Sequence, residues 1–258
     1  MLIGKAGPAT TSISTADAAS LTVRGRDLCS DLMGRVSFTD YFHLLVTGRE
    51  PTEDQRFFLD LLLVAIAEHG LVPTNQVARM TFAADPAALQ GAVAAGILGC
   101  GSVVLGTTEA CGRFLIEAAA RIRGGKALRQ IVAEIRAGGG KVPGFGHPLH
   151  KPVDPRAQRI LALAAERGIA GRHVAIACEA EAVVPEVWGK LLPMNVSMPI
   201  AAVLLDLGFP VATVRSVPIL ARTASLLAHL AEEQERPVGF ALARAAEDAV
   251  RYEPDARA

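Results

Sequence analysis

The sequence predicts an all-α protein. Hydrophobic residues make up 51% of the chain and aromatics only 5%, and the apolar texture is Ala, Leu and Val, which reads as tightly packed helices. Apolar residues recur at helical spacing, as at Ile160, Leu161, Leu163 and Ala164. Glycine pairs and triplets, Gly124-Gly125 and Gly138-Gly139-Gly140, stand where helices should stop, because glycine tolerates the left-handed conformation of a C-terminal cap. The 258 residues suffice for one large or two modest domains with a sizeable core.

The elements follow in order. Residues 1–20 are small and polar, with Thr11-Ser12-Ile13-Ser14 as a short extended piece. Ser37 with Asp40, just before Tyr41, Phe42, Leu44 and Leu45, marks a helix start. Thr52-Glu53-Asp54 opens the next helix with acids in its first turn, where they suit the helix dipole. That helix runs to Glu68 and delivers His69, which taken alone is a histidine favoured by the carbonyl ends of a helix. Residues 87–105 are small and apolar, with Gly91, Gly96, Gly99 and Gly101, and predict one helix buried on every side. A helix-turn-helix follows over Glu109–Ile122 and Lys126–Arg136. Further helices are expected over Arg156–Arg167 and His173–Val184. Internal repeats are absent.

Composition limits the function. Net charge is zero and no basic block exists, so nucleic acid and anionic membrane are not expected partners. The four cysteines, Cys29, Cys100, Cys111 and Cys178, lack Cys-x-x-Cys spacing and sit in apolar runs. They read as reduced core thiols, with no metal site. The N-terminus has no basic segment leading into an apolar one. Phe57 to Val72 is the greasiest run, yet Asp60, Glu68 and His69 interrupt it before the roughly 20 residues a membrane helix needs. A soluble, cytoplasmic protein is expected.

The segment from Gly138 to Arg156 is the least explicable by folding needs alone. It holds five Gly and four Pro in nineteen residues, which rules out a regular helix or central strand. Long loops of this kind are mostly functional or disordered, and Phe145, Leu149 and Val153 tie this one down. His147 lies between Gly146 and Pro148. It is either a histidine satisfied by loop carbonyls or a proton-exchanging group that a ligand approaches across Gly146.

Gly144-Phe145-Gly146-His147, with Lys151 and then Asp154-Pro155-Arg156, resembles the signature loop of the citrate synthase superfamily, which includes citrate and methylcitrate synthases, citryl-CoA lyases and the C-terminal part of ATP citrate lyase. The resemblance extends to Arg24-Gly25-Arg26-Asp27-Leu28, Gly48-Arg49-Glu50-Pro51-Thr52, Glu68-His69 with Arg79, Pro193-Met194-Asn195-Val196-Ser197, Leu220-Ala221-Arg222-Thr223 with Ala228-His229, and Arg236-Pro237. It covers residues 20 to 240 in order. What it implies is a two-domain helical fold: a large domain from residues 1–105 and 209–258, a small domain from 106–208, and an active site in the cleft between them. It further implies a homodimer, because Arg236 matches an arginine given to the neighbouring subunit's site.

By the same resemblance, His147 is a catalytic residue and His69, Arg156, Arg222 and Arg236 bind the substrate. Lys151 falls where the family holds coenzyme A phosphates. His150 has no counterpart in the pattern. The family's catalytic aspartate falls on Ser197, which the resemblance makes the second catalytic position, and its catalytic histidine falls on Val104. Each arginine alone reads as a surface or salt-bridge residue; together they suit a di- or tricarboxylate, whose carboxylates their planar forks meet with paired hydrogen bonds.

Abstracting a methyl proton next to a thioester needs a positioned base, which Ser197 cannot be, and Val104 cannot hydrogen-bond an enolate. Cleavage asks less of those positions: His147 takes the hydroxyl proton, the arginines hold the keto acid, and water or Ser197 protonates the departing enolate. The expected function is that of a citryl-CoA lyase-like enzyme splitting a carboxylated 3-hydroxyacyl-CoA into a keto acid and an acyl-CoA, with no bound cofactor and coenzyme A present only as part of the substrate. The alternatives are condensation or hydrolysis of a different acyl-CoA, or a non-catalytic carboxylate- or CoA-binding subunit.

Overall fold

A computed structural model describes residues 9–147 and 149–255. The chain divides into two compact units, one ending at Asp60 and the other beginning at Leu61.

In the first unit, β1 (Ser14–Ala16), β2 (Leu21–Val23) and β3 (Arg26–Asp27) form an antiparallel sheet in that order, with Thr15 opposite Thr22 and Thr22 opposite Asp27. The extended piece thus begins where the expected one ends. Arg24 and Gly25 both take positive φ, 50° and 80°, the geometry a two-residue hairpin turn requires. Asp27 then caps a π-helical turn over Leu28–Leu32 by accepting from the amides of Cys29 and Ser30. The Arg-Gly-x-Asp-Leu segment is therefore a turn followed by a cap. Ser37 starts α1 (Phe38–Thr47) through a reciprocal capping box with Asp40, and Gly48 ends it at φ 74°. The expected helix start is in place. α2 (Glu53–Ala67) follows.

The second unit continues with α3 (Pro73–Ala84), α4 (Leu89–Leu98), α5 (Gly106–Arg123), α6 (Leu128–Ala137), α7 (Pro155–Glu166), α8 (Arg172–Trp188), α9 (Ser197–Asp206), α10 (Val211–Val214), α11 (Ser216–Glu235) and α12 (Gly239–Ala249). Helices α3, α4, α11 and α12 pack into one group; α5, α6, α8 and α9 pack into another, with α7 against α9. The all-α expectation holds.

The helix expected over 87–105 is broken. α4 ends at Leu98, Gly101 takes φ 51°, and a π-helical turn leads into α5. It is not buried on every side either: Leu98 is 81% exposed while Ala92 and Gly96 are buried. The small residues serve one face only. A Cβ on Gly96 would meet the Leu226 side chain at 2.8 Å and the Thr74 carbonyl oxygen at 3.0 Å, so that glycine lets α4 press onto α3 and α11. Helix α8 runs through Pro185 to Trp188 rather than stopping before it, and α12 has no counterpart in the expected elements. The core-thiol expectation holds for Cys100 and Cys111; Cys29 and Cys178 are exposed. Val211–Glu235 has the length and hydropathy of a membrane span. Its polar residues Arg222, Ser225 and Glu233 are nevertheless buried, the pattern of a core helix.

Candidate active site

The Gly-rich segment between α6 and α7 is held by a second stretch of chain. Gly146 N donates to Pro193 O at 2.7 Å, Asn195 N donates to Gly144 O at 2.8 Å, and Phe145 bridges Met194. The Asn195 amide adds a bond to Gly146 O at 3.1 Å. Gly144 has φ +82°, and a Cβ there would lie 2.7 Å from Cys111 Sγ and 2.9 Å from Met198 Cβ. Both the dihedral and the close approach demand glycine.

His147 sits at the end of this zipped loop. Its Nδ1 accepts from the backbone amides of Leu149 at 3.1 Å and His150 at 2.9 Å. A neutral imidazole has one acceptor nitrogen and one donor. With Nδ1 occupied as acceptor, the proton is on Nε2, and the ring meets a ligand as an N–H donor.

His69 is placed by the residue before it. Glu68 Oε1 accepts from the amides of His69 at 2.8 Å and Gly70 at 2.6 Å, while Oε2 accepts from Ser225 Oγ at 2.6 Å and lies 3.0 Å from His229 Nε2. His229 Nδ1 in turn accepts from Arg79 Nε at 3.0 Å, and Arg79 is buried against Glu233 and Glu232. Burial raises the Glu68 carboxyl, but these donors outweigh it and hold it below the usual carboxylate range. The turn carrying His69 is thus anchored to α3 and α11. Its Nε2 lies 3.0 Å from His150 Nε2. Burial, then the charge of Arg156 and the neighbouring His150, lower the His69 pKa; burial and His150 do the same for His147.

Asp154-Pro155-Arg156 is a helix start as well as a motif. Asp154 is the N-cap of α7, accepting from Arg156 N, and Pro155 takes the first helical position, where its missing N–H costs nothing. The Asp154 carboxylate, 0% exposed, accepts from Arg156 Nε at 3.1 Å and Nη2 at 2.8 Å, and from Val196 N at 3.2 Å. Burial pushes this carboxyl up, but Arg156 holds it below the usual range. One edge of the Arg156 fork is thereby filled, and the residue lines the cavity of this site.

Arg222 is 2% exposed. Its contacts are long, Nη1 to Asn75 Oδ1 at 3.3 Å and Nη2 to Ile66 O at 3.4 Å, and Nε has no hydrogen-bond partner among the described residues. Burial lowers its pKa. A buried cation without a full donor set costs several kcal/mol, so its retention points to an anion that completes it.

One cavity of about 650 Å³ is lined by His69, His147, Arg156, Arg222, Ser197 and Val104, with Ile66, Val72, Leu105, Val142 and Val196 making an apolar side. Ser197 is the first residue of α9, its amide held by Asn195 Oδ1 at 3.1 Å. Lys151 and Arg236 are exposed and do not line this cavity. The side chain of His150 joins His69, a contact no local pattern announces. Asn75 and Ser225, which support Arg222 and Glu68, carry no motif of their own. The ligand-capable atoms of His69, His147 and His150 lie within 4.8 Å of one another, a spacing that invites a metal ion. A histidine bound to metal through Nε2 keeps a proton to donate from Nδ1, whereas Nδ1 of His147 already receives two amide hydrogens. The charges of Arg156 and Arg222 also reach His69, and that of Arg156 reaches His147, and the set suits an anion better than a cation.

Residues 50–245 match the family model described as "Citrate synthase, C-terminal domain". A citrate synthase from Heyndrickxia coagulans is 28% identical over 204 residues, 78% of this chain and 53% of that protein, so the chain spans about half the length of this curated relative. Citryl-CoA lyase from Hydrogenobacter thermophilus superposes with a TM-score of 0.85 and 29% identity over 96% of each chain. ATP citrate lyase from Methanothrix soehngenii, solved in complex with citrate and coenzyme A, gives 0.79 at 22% identity, covering 99% of this chain and 43% of that one. The last shows a shared fold alone.

Proposed function

This chain belongs to the citrate synthase family, and from that premise we propose that it is a citryl-CoA lyase-like enzyme, cleaving a carboxylated 3-hydroxyacyl-CoA into a keto acid and an acyl-CoA. The observation that carries the reading is Arg222, a buried guanidinium with unfilled donors on the same cavity as Arg156, His69 and the Nε2–H of His147. Likeness over nearly all of both chains to a citryl-CoA lyase supports it.

In this reading Arg156 and Arg222 grip the carboxylates of the keto-acid half. Arg236, exposed in its own chain, completes the set from a second copy, and the exposed apolar face of α4, Leu98 above all, is consistent with a homodimer. The packing of α5, α6, α8 and α9 as a separate group supports the small-domain assignment to residues 106–208. Lys151, exposed on the loop, is assigned in this reading to the phosphates of coenzyme A. His147 has a different part from the one expected of it. The expectation is that it takes the hydroxyl proton, but a protonated Nε2 has no lone pair to accept one, and Nδ1 is already engaged by the amides of Leu149 and His150. It serves instead as a donor to the substrate oxygen that becomes the keto oxygen, where charge develops. The hydroxyl proton then goes to His69.

As the carbon–carbon bond breaks, its electron pair passes to the thioester enolate, which is quenched by water or by Ser197 relaying from water. Forming that enolate from an acyl-CoA instead needs a base on carbon, and the cavity offers Ser197 and Val104 where one would stand. Incubation with citryl-CoA tests the reading: oxaloacetate, followed by coupled reduction with NADH, is expected to accumulate, while acetyl-CoA plus oxaloacetate yields no citrate. Oxaloacetate failing to appear while another thioester turns over would favour the altered-acyl alternative, and binding without turnover of any thioester would favour the non-catalytic one.

A further inference from the structure

His150 touches both histidines of the cavity by different parts. Its backbone amide donates to His147 Nδ1 at 2.9 Å and fixes the tautomer of that ring; its side chain meets His69 with the two Nε2 atoms 3.0 Å apart. Its ring also lies against that of His147, centroids 4.4 Å apart at 30°. Two neutral imidazoles at that separation share one hydrogen, one ring donating and the other accepting. A further proton turns the contact into a charge-assisted bond, shorter and roughly twice as strong.

We propose that His150 is a positioning residue that acts through His69, making the two rings a proton-accepting pair that takes up one proton when a keto acid binds between Arg156 and Arg222. The inference rests on the reading of this cavity as a keto-acid site. The charged and titratable groups that face the pair are His147, Asp154 and Arg156 from the loop and α7, Arg222 from α11, and Glu68 beside His69. In the empty site the two guanidiniums oppose a further positive charge, and Asp154 offsets Arg156 only in part. A dianionic keto acid cancels that opposition, and the proton enters. The complex with keto acid is also the state reached just after bond cleavage. The proton on the pair there is the one the hydroxyl gave up, and it returns to solvent when the keto acid leaves, matching the proton that water supplied to the enolate carbon.

Titration calorimetry of the whole chain with oxaloacetate, in buffers of different ionisation heat and from about pH 6 to 8.5, tests this without requiring turnover. Wild type is expected to take up about one proton per oxaloacetate bound and to bind up to about tenfold more weakly for each unit of rising pH. His150→Phe and His150→Gln, which keep the backbone amide on His147, are expected to lose the uptake and to bind with little pH dependence. A buffer-independent heat in wild type overturns the proposal, and so does an uptake that survives in a folded variant. Absence of any oxaloacetate binding sinks the carboxylate reading and this inference together, whereas binding without proton uptake sinks this inference alone.

Discussion

Replacing His147 with alanine is expected to lower kcat for oxaloacetate release from citryl-CoA by about 10²- to 10³-fold, the usual cost of removing one donor from a developing oxyanion. KM should change less, because the arginines rather than this ring hold the carboxylates. The informative companion is His147→Gln. Its side-chain amide retains an N–H donor but has no basic nitrogen. Since Nδ1 of His147 is already filled by the amides of Leu149 and His150, the ring's task is donation. Glutamine should therefore recover a measurable part of what alanine loses. Equal inactivity of the two variants would show instead that a titrating base is needed at this position.

The second large effect is at Arg222. Arg222→Met is expected to weaken oxaloacetate binding by about 10²- to 10³-fold, as when a charge-assisted partner of a buried carboxylate is lost. Arg222→Lys should recover little, because a point charge cannot reproduce the planar fork. The same Met variant should leave the empty protein as stable as wild type, or more stable by about 1 kcal/mol, since it removes a buried guanidinium whose Nε is unpartnered and leaves apolar volume in its place. Calorimetry with oxaloacetate and urea unfolding of the ligand-free chain check the two halves. A residue that merely braced the core would show the opposite, with lost stability and near-normal binding.

Those two positions also mark what a sequence reader can and cannot see. Asp154-Pro155-Arg156 is legible as a family motif, and the structure adds a local reason for it: a capping carboxylate, a proline that needs no hydrogen bond, and an arginine whose fork returns to the cap two residues back. A local reason holds for Ser37 with Asp40 as well. The cavity's side walls are set across the chain. His150 meets His69 over a separation of 81 residues, and Ser225 meets Glu68 over 157. No periodicity or cap specifies such pairs. The break of the apolar helix at Gly101 escaped for a related reason: small residues permit close packing on one face and also permit a kink, and composition alone does not choose between them. That Nδ1 of His147 is an acceptor depends on the directions of two backbone amides, those of Leu149 and His150, which residue identities do not specify.

Whether this cavity keeps an anion grip without a base for carbon is measured most directly by proton exchange at the acyl methyl. Acetyl-CoA incubated with the protein and saturating oxaloacetate in D₂O is expected to retain its methyl hydrogens over a period in which the same preparation cleaves citryl-CoA to completion. Deuterium entering the methyl group at a rate comparable to that cleavage would contradict the claim, because it would require a group at the Val104 and Ser197 end of the cavity that removes a proton from carbon.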